Sequence, residues 1–459
     1  MNVIIIISIL GIVAMVSEIF GFKKSIWYIV LAALAGTFII NLNDWDTARR
    51  YYDDMVFIDN YAIAFMGLLL FLAIVWFFLS KDQYDGEEFN KSDHYAQIIF
   101  SLTGALVLVS YANLSMLFLG VEIMSIPLYI LAGSRKKDLA SNEAALKYFM
   151  MGAFATGFLL FGITLIYGVT GSFNLGLIHQ YVSDVAELPV MFYAGVVMIM
   201  IGLGFKVSAF PFHFWAPDVY EGAPVMISAF MATIVKTAAF GGFYRLFSVC
   251  FTEVSGHWAG TLSIVIGATI LVGNILAVYQ VNMKRMLAYS GIAQAGYLLL
   301  TLLILNNQSA NALIFYVGSY AIATLCAFGG LYWVIKLRGN DDLNSFNGLG
   351  KSNPVLALVM TVAMLSLAGI PPAAGFFAKF YLFTVLLQNG FMPLVLLSVL
   401  GSLISVYYYF KIIIKMYGTA DDTMSLPISI FNKAILIMIV VAILAIGIMP
   451  DFFLGIITQ

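Results

Sequence analysis

A chain of 459 residues with 62% hydrophobic residues, 10% charged residues and a mean hydropathy of +0.98 is too poor in charge for a water-soluble globule, which carries about 25% charged residues. The formal net charge of −2 gives no basic excess that would attract nucleic acid. Two distant cysteines, Cys250 and Cys326, cannot hold an iron–sulfur cluster, which takes about four thiolates.

Apolar runs long enough to cross a bilayer, roughly 17–25 residues each, recur from end to end. They predict an all-α polytopic membrane protein of about 14 spans, at 3–20, 25–42, 58–80, 94–110, 112–132, 142–168, 188–216, 224–248, 258–279, 284–305, 309–337, 354–388, 391–417 and 431–450. The first run has neither a basic n-region nor a small-residue cleavage site, so it is expected to be a retained helix and not a signal peptide. The polar loop 81–93 reads as a solvated turn. The seventh and twelfth runs are too long for one straight helix, and both contain proline.

Numbered from the first, the odd connections hold Lys23, Lys24, Lys81, Lys91, Arg135, Lys136, Lys137, Lys284, Arg285, Lys336, Arg338 and Lys351. The even ones hold little beyond Arg49 and Arg50. The positive-inside rule then puts odd connections in the cytoplasm and both termini on the other side.

Five charges fall within spans or near their breaks: Glu122, Lys147, Lys206, Lys236 and Lys379. Lys236 lies about 12 residues into its span, roughly 18 Å deep at 1.5 Å per residue, beyond the reach of a lysine stem to the headgroups. Burying such a charge costs at least ~2.5–3.5 kcal/mol. Lys147 is nearer an interface, where its stem can carry the ammonium to water. Ion pairing that merely joins helices is the plainer account, but three deep lysines face one deep carboxylate. Amines buried without a counter-charge lose their preference for the ammonium form, and groups poised near neutrality can load and release protons.

The seventh span reads Phe205-Lys206-Val-Ser-Ala-Phe-Pro211-Phe-His213-Phe-Trp-Ala-Pro217, and the twelfth Leu367-Ala-Gly369-Ile-Pro371-Pro372-Ala-Ala-Gly375-Phe-Phe-Ala-Lys379. Proline removes a backbone donor and clashes with the preceding turn, so both helices are predicted to break, each beside a deep lysine. The breaks are about 160 residues, or five spans, apart. An odd number of spans makes successive units face opposite ways. Paired broken helices at corresponding positions point to an inverted-repeat transporter with its site near the midplane; two packing kinks are the alternative. The expected division of the single membrane domain is 1–93 for three leading helices, 94–250 for the first five-helix repeat, 251–418 for the second and 419–459 for the last helix.

Other chemistry finds little support. There is no GxGxxG turn after a strand and no P-loop. Of the four histidines only His213 falls in a span, so a haem between two helix histidines lacks its second ligand. His213 and Asp218 have no nucleophile arranged with them, and Asp218 is expected to cap or orient the break. No metal site is predicted.

Four segments resemble one family. Phe210-Pro-Phe-His-Phe-Trp-Ala-Pro-Asp-Val-Tyr-Glu-Gly-Ala-Pro224 looks like the hallmark of subunit N of proton-pumping NADH:quinone oxidoreductase, respiratory complex I. Met283-Lys-Arg-Met-Leu-Ala-Tyr-Ser-Gly-Ile-Ala-Gln-Ala-Gly-Tyr297, Ser366–Lys379 and Glu143-Ala-Ala-Leu-Lys147-Tyr-Phe are similar to that family too. The resemblance covers most of the chain. It implies a proton relay in which Glu122 on the fifth helix partners Lys206 on the broken seventh, Lys236 is the central lysine and Lys379 the exit-side one, with Lys147 secondary. Many relatives carry histidine where Gln294 stands, and glutamine cannot titrate. It also implies the other complex I subunits as partners, a bacterial inner membrane as location, and NADH, FMN, iron–sulfur clusters and quinone in those partners, with no cofactor in this chain. The competing readings are an Mrp-type cation/proton antiporter or membrane hydrogenase subunit, and an inert assembly scaffold.

Overall fold

The computed structural model describes residues 1–22, 24–86, 90–419 and 428–458. Lys23, part of the loop 81–93, and residues 420–427 and 459 of the last unit fall outside them.

The chain begins with α1 (Asn2–Val16) and α2 (Ile26–Asn43), followed by a short antiparallel hairpin of β1 (Arg49–Tyr51) and β2 (Val56–Ile58). Then come α3 (Asn60–Gly86), α4 (Lys91–Ser110), α5 (Leu114–Ala132), α6 (Leu139–Thr170), the short α7 (Leu175–Asp184), α8 (Val190–Val207), α9 (Trp215–Gly222), α10 (Val225–Phe230) and α11 (Lys236–Cys250). The second half holds α12 (Ser255–Val278), α13 (Met283–Leu299), α14 (Asn307–Arg338), α15 (Leu349–Ser352), α16 (Pro354–Ala368), α17 (Ala374–Gln388), α18 (Met392–Tyr417), α19 (Ile430–Ile448) and α20 (Pro450–Thr458). Among the described residues, 11 helices are long and apolar enough to cross a membrane, counting α10 and α11 as one. With α1, α4 and the interrupted pair α16–α17, the predicted order of 14 crossings is met, in a multi-pass membrane protein. Helices suit this solvent because each closes its own backbone hydrogen bonds. Several start on an asparagine or aspartate that accepts from the first-turn amides: Asn113, Asp138, Asn174, Asn282 and Asn306.

The five-crossing unit repeats in detail. α4 packs on α5 as α12 packs on α13, and α6 packs on both α8 and α9 as α14 does on both α16 and α17. At the start of α5, Leu114 N donates to Phe173 O at 2.8 Å and Leu175 N to Ala112 O at 3.0 Å. At the start of α13 the same exchange recurs, Met283 N to Asp341 O and Leu343 N to Val281 O, both at 2.8 Å. An odd number of crossings inverts the second unit relative to the first.

Both proline breaks form, and they form alike. α8 ends on Ser208 with φ 62°, its turn closed by Ala209 N donating to Gly204 O at 2.8 Å; α16 ends on Gly369 with φ 81°, closed by Ile370 N to Leu365 O at 3.0 Å. These are left-handed helix stops that satisfy part of the freed carbonyl row. Cis peptides Phe210–Pro211 and Pro371–Pro372 follow, and the chain resumes as α9 and α17.

Five features differ from the sequence expectation, one being that residues 81–86 and 91–93 of the expected turn continue α3 and begin α4. The first helix stops at Val16 and not near 20, because the Ser17 hydroxyl turns back onto Ala14 O and bonds Ser92. The 49–58 hairpin turns through Tyr52, Asp53 and Asp54, all at positive φ, where the apolar pattern offers no periodicity. Helices α7 and α20 are too short to register as spans. Span eight carries a π-helical turn, Met231–Val235, directly before Lys236.

The layout separates inside from outside. The α10–α11 span and α14 are buried along 100% of their spanning windows and α13 along 94%, against 33% for α6 and α18, so the former make the centre and the latter the rim. Close approach between α4 and α5 depends on Gly104, where an added Cβ would sit 2.2 Å from Met124 N. Gly104→Val is therefore expected to lower the melting midpoint of the detergent-solubilised protein, costing roughly 1–3 kcal/mol. Gly36→Val, whose Cβ has nothing within 4 Å, is the control that leaves it unchanged.

Candidate functional site

Lys206 sits in the last turn of α8, 4% exposed, just before the first break. Its ammonium donates to Ser125 Oγ at 2.9 Å and Tyr129 Oη at 3.2 Å, both on α5. Glu122 lies one turn earlier on α5, partly exposed, with Oε1 buried and unpartnered. The expected direct Glu122–Lys206 ion pair is not formed: hydroxyls take the ammonium, and the carboxylate acts on it only through space. The outer face of α5 beside Glu122 is apolar and exposed, through Leu119, Ile123, Ile126 and Ile130.

Lys236, 3% exposed, follows the π-helical turn. That widened turn is a recurrent mark of functional helices. Its Nζ donates to Gly291 O on α13 at 2.5 Å and lies 5.9 Å from the centre of the Tyr320 ring of α14. Lys379, 5% exposed, points from α17 back across the second break and donates to Ala368 O at 3.1 Å and Leu367 O at 3.3 Å. Those are terminal carbonyls of α16, left without intrahelical partners by the break. Tyr297 stacks its ring 5.1 Å from the same ammonium.

Gln294, 2% exposed, lies one turn beyond Gly291 on α13. Its Nε2 also donates to Leu367 O, at 3.0 Å, and its Oε1 accepts from Tyr316 Oη at 2.7 Å. Gln294, Tyr316, Ser319, Tyr320 and Lys379 line a cavity of about 10 Å³, room for one water. His213 is buried in the first break against Phe210 and Phe214, with Nδ1 unpartnered.

Lys147 is not deep: its side chain is 39% exposed and pairs with Glu143 at 2.7 Å and Asp218 at 2.6 Å. Asp218 makes no capping bond at the break. It joins Lys147 to Arg285, which binds Asp218 and Glu221, each at 2.7 Å. This chain of charges ties α6 and α9 of the first repeat to α13 of the second. Beside it Lys284 donates to Glu221 O and approaches Asp341 at 3.9 Å. Burial pushes the Asp341 carboxyl above the ordinary carboxylate range, against the pull of Lys284. A second ion pair that sequence reading missed is Arg245–Asp59, at 3.0 Å, whose guanidinium also binds the carbonyls of Phe57, Val109 and Tyr111 and pins the hairpin.

Residues 111–405 match the family described as NADH:quinone oxidoreductase/Mrp antiporter, TM. The chain is 50% identical over 458 residues to NADH-quinone oxidoreductase subunit N of Cytophaga hutchinsonii, covering 99% of each. It is 42% identical over 452 residues to subunit N of Flavobacterium psychrophilum, covering 98% of this chain and 99% of that one. A chain of respiratory complex I from Thermus thermophilus with bound aureothin superimposes with a TM-score of 0.83 at 29% identity, over 99% of this chain and 98% of that one. A chain of the Mrp complex from Dietzia sp. shares the fold alone, with a TM-score of 0.87 at 20% identity over 99% and 96%. By identity and coverage, this chain belongs to the NADH-quinone oxidoreductase subunit N family.

Proposed function

We propose that the chain is a proton-translocating subunit of a bacterial respiratory complex I, moving protons through Glu122, Lys206, Lys236 and Lys379, with Lys147 and Gln294 secondary. The observation that carries this reading is the row of three amines, each 5% exposed or less, held by hydroxyl and carbonyl oxygens and not by carboxylates. An amine so placed can change protonation without leaving a stranded counter-charge. The partly exposed Glu122, beside the apolar face of α5, is where a neighbouring subunit would act. A change of charge there alters how tightly Lys206 holds its proton and sends it towards Lys236 and then Lys379.

In this proposal the energy comes from quinone reduction elsewhere in the complex, with NADH, FMN, iron–sulfur clusters and quinone in partner subunits and no redox site in this chain. The chain lies in the inner membrane with both termini on the non-cytoplasmic side. Cation/proton exchange of the Mrp type shares the fold, and sodium-sensitive transport without NADH would favour it. Native electrophoresis of gently solubilised membranes separates the two: migration in a large NADH-oxidising assembly is the expected result, and migration alone overturns the complex I assignment.

Lys236→Met is expected to cut proton uptake coupled to NADH oxidation by about tenfold or more in vesicles holding a normal amount of assembled complex. Undiminished pumping would remove Lys236 from the path. Gly369→Ala is expected to impair pumping as well. A side chain at φ +81° is strained by roughly 1–2 kcal/mol, and the added Cβ would sit 2.9 Å from Lys379 Cδ, forcing the ammonium off the α16 carbonyls. Pumping at the normal rate by this variant would show that the Lys379 position is not critical.

A further inference from the structure

The path between Lys236 and Lys379 has a gap that neither lysine closes and that Gln294 cannot fill by titration. Lys236 Nζ donates to Gly291 O and not to any group beside Lys379. The amide of Gln294 is fixed by two bonds, donating to Leu367 O and accepting from Tyr316 Oη. The side chain of Tyr320 borders Lys236 and the one-water cavity that Lys379 lines. It is 5% exposed and places its ring 5.9 Å from Lys236 Nζ.

The space beside Gly291 gives the geometry. A Cβ built on Gly291 would lie 3.1 Å from Lys236 Nζ and 3.1 Å from Tyr320 Oη. Both atoms therefore lie against the bare glycine, no farther apart than twice that distance, and no hydrogen bond between them is formed. A bridge through one water falls within that limit. A side chain at 291 would crowd both atoms.

We infer that the Tyr320 hydroxyl, with water beside Gly291 and in the adjoining cavity, carries the proton from Lys236 to Lys379. This rests on the proton-path reading above and adds the intermediate group. In the transfer an N–H bond of the Lys236 ammonium breaks and its proton passes, through the water beside Gly291, to the hydroxyl oxygen of Tyr320. The hydroxyl gives its own proton to the cavity water, and that water gives one to Lys379 Nζ. One N–H bond is lost and one formed, a single positive charge moves, no electrons change hands, and the tyrosine is neutral once it has given up its own proton; rotation of its hydroxyl then resets the donor direction. A hydroxyl suits this role because it both donates and accepts. Tyr320 is a positioning and relay residue here, and Gln294 orients the cavity.

The test uses membrane vesicles carrying the whole complex, with assembly checked on native gels and proton uptake read per NADH oxidised. Tyr320→Phe keeps the ring over Lys236 and removes only the hydroxyl; it is expected to lower proton uptake by about tenfold or more. Adding Gln294→His to that variant puts a titrating ring into the same cavity and is expected to restore most of the loss, which a packing role for the tyrosine would not allow. Gly291→Ala leaves every polar group intact but inserts a methyl between the two atoms, and is expected to lower uptake as well. Normal uptake in Tyr320→Phe, no recovery in the double variant, or normal uptake in Gly291→Ala would each overturn the inference. Should Tyr320→Phe fail to assemble, Gly291→Ala decides alone. Lys236→Met in the same vesicles separates the levels: if it pumps normally, the proton path itself is wrong, whereas if it alone is impaired, only the tyrosine step falls.

Discussion

An ammonium group buried among apolar helices needs oxygen atoms around it, and a regular helix has few to offer, because its carbonyls are already bonded four residues on. The cost of leaving that need unmet is several kcal/mol per group. Much of this molecule can be understood as a set of ways to supply those oxygens without supplying counter-charges. Breaking α16 from α17 frees the carbonyls of Leu367 and Ala368 for Lys379. On α5, Ser125 and Tyr129 present hydroxyls to Lys206. Gly291 lets Lys236 approach the α13 backbone. A carboxylate at any of these places would hold its lysine permanently charged; neutral oxygens leave the amine free to exist in either state.

The repeat explains why the two breaks resemble one another and yet serve different lysines. Both end their first half on a left-handed residue, both continue through a cis proline, and both pack against one long helix, α6 or α14. In the first unit the lysine precedes the break and faces α5; in the second it follows the break and reaches back over it. Inverting the unit turns these into positions that flank Lys236 from either side of the sequence. The central helices α11, α13 and α14 are where the units meet, and they are also the most completely buried. The Lys147–Asp218–Arg285–Glu221 chain fastens the same junction, so α13 joins the charged edge of the fold to the residues that hold Lys236 and border Lys379.

What the sequence made legible was whatever had a cost attached. Deep charges stand out because burial penalises them, and prolines stand out because a helix cannot absorb them; the breaks and the deep positions of Glu122, Lys206, Lys236 and Lys379 follow from those two facts. What stayed hidden depends on contacts between distant segments. Arg245 reads as a residue at the end of a span, until its partner Asp59 arrives from 186 positions away. Asp218 sits in a break that invites a capping role, but the pull of Lys147 and Arg285, each more than 60 residues distant, wins. The family resemblance implies that Glu122 partners Lys206, yet the two do not touch. Two hydroxyls one and two turns further along α5, those of Ser125 and Tyr129, satisfy the ammonium. Tyr320 gave no signal at all, being one of 25 tyrosines in an apolar chain.

Gln294 brings these threads to one place. Its amide donor is committed to Leu367 O, the carbonyl that also serves Lys379, and its acceptor to the Tyr316 hydroxyl. The bond to Leu367 O decides which way the amide points, since the reverse orientation would set its oxygen against a carbonyl, whereas the Tyr316 hydroxyl could meet either end. A histidine at 294 could exchange protons itself; a glutamine so fixed can only hold the geometry. The proton path proposed between Lys236 and Lys379 therefore calls for groups that need not become charged, and a hydroxyl beside a water-sized cavity is such a group. On this reading, losing a titrating side chain at one position is compatible with a continuous path, provided the neighbouring hydroxyl and the bare glycine are kept.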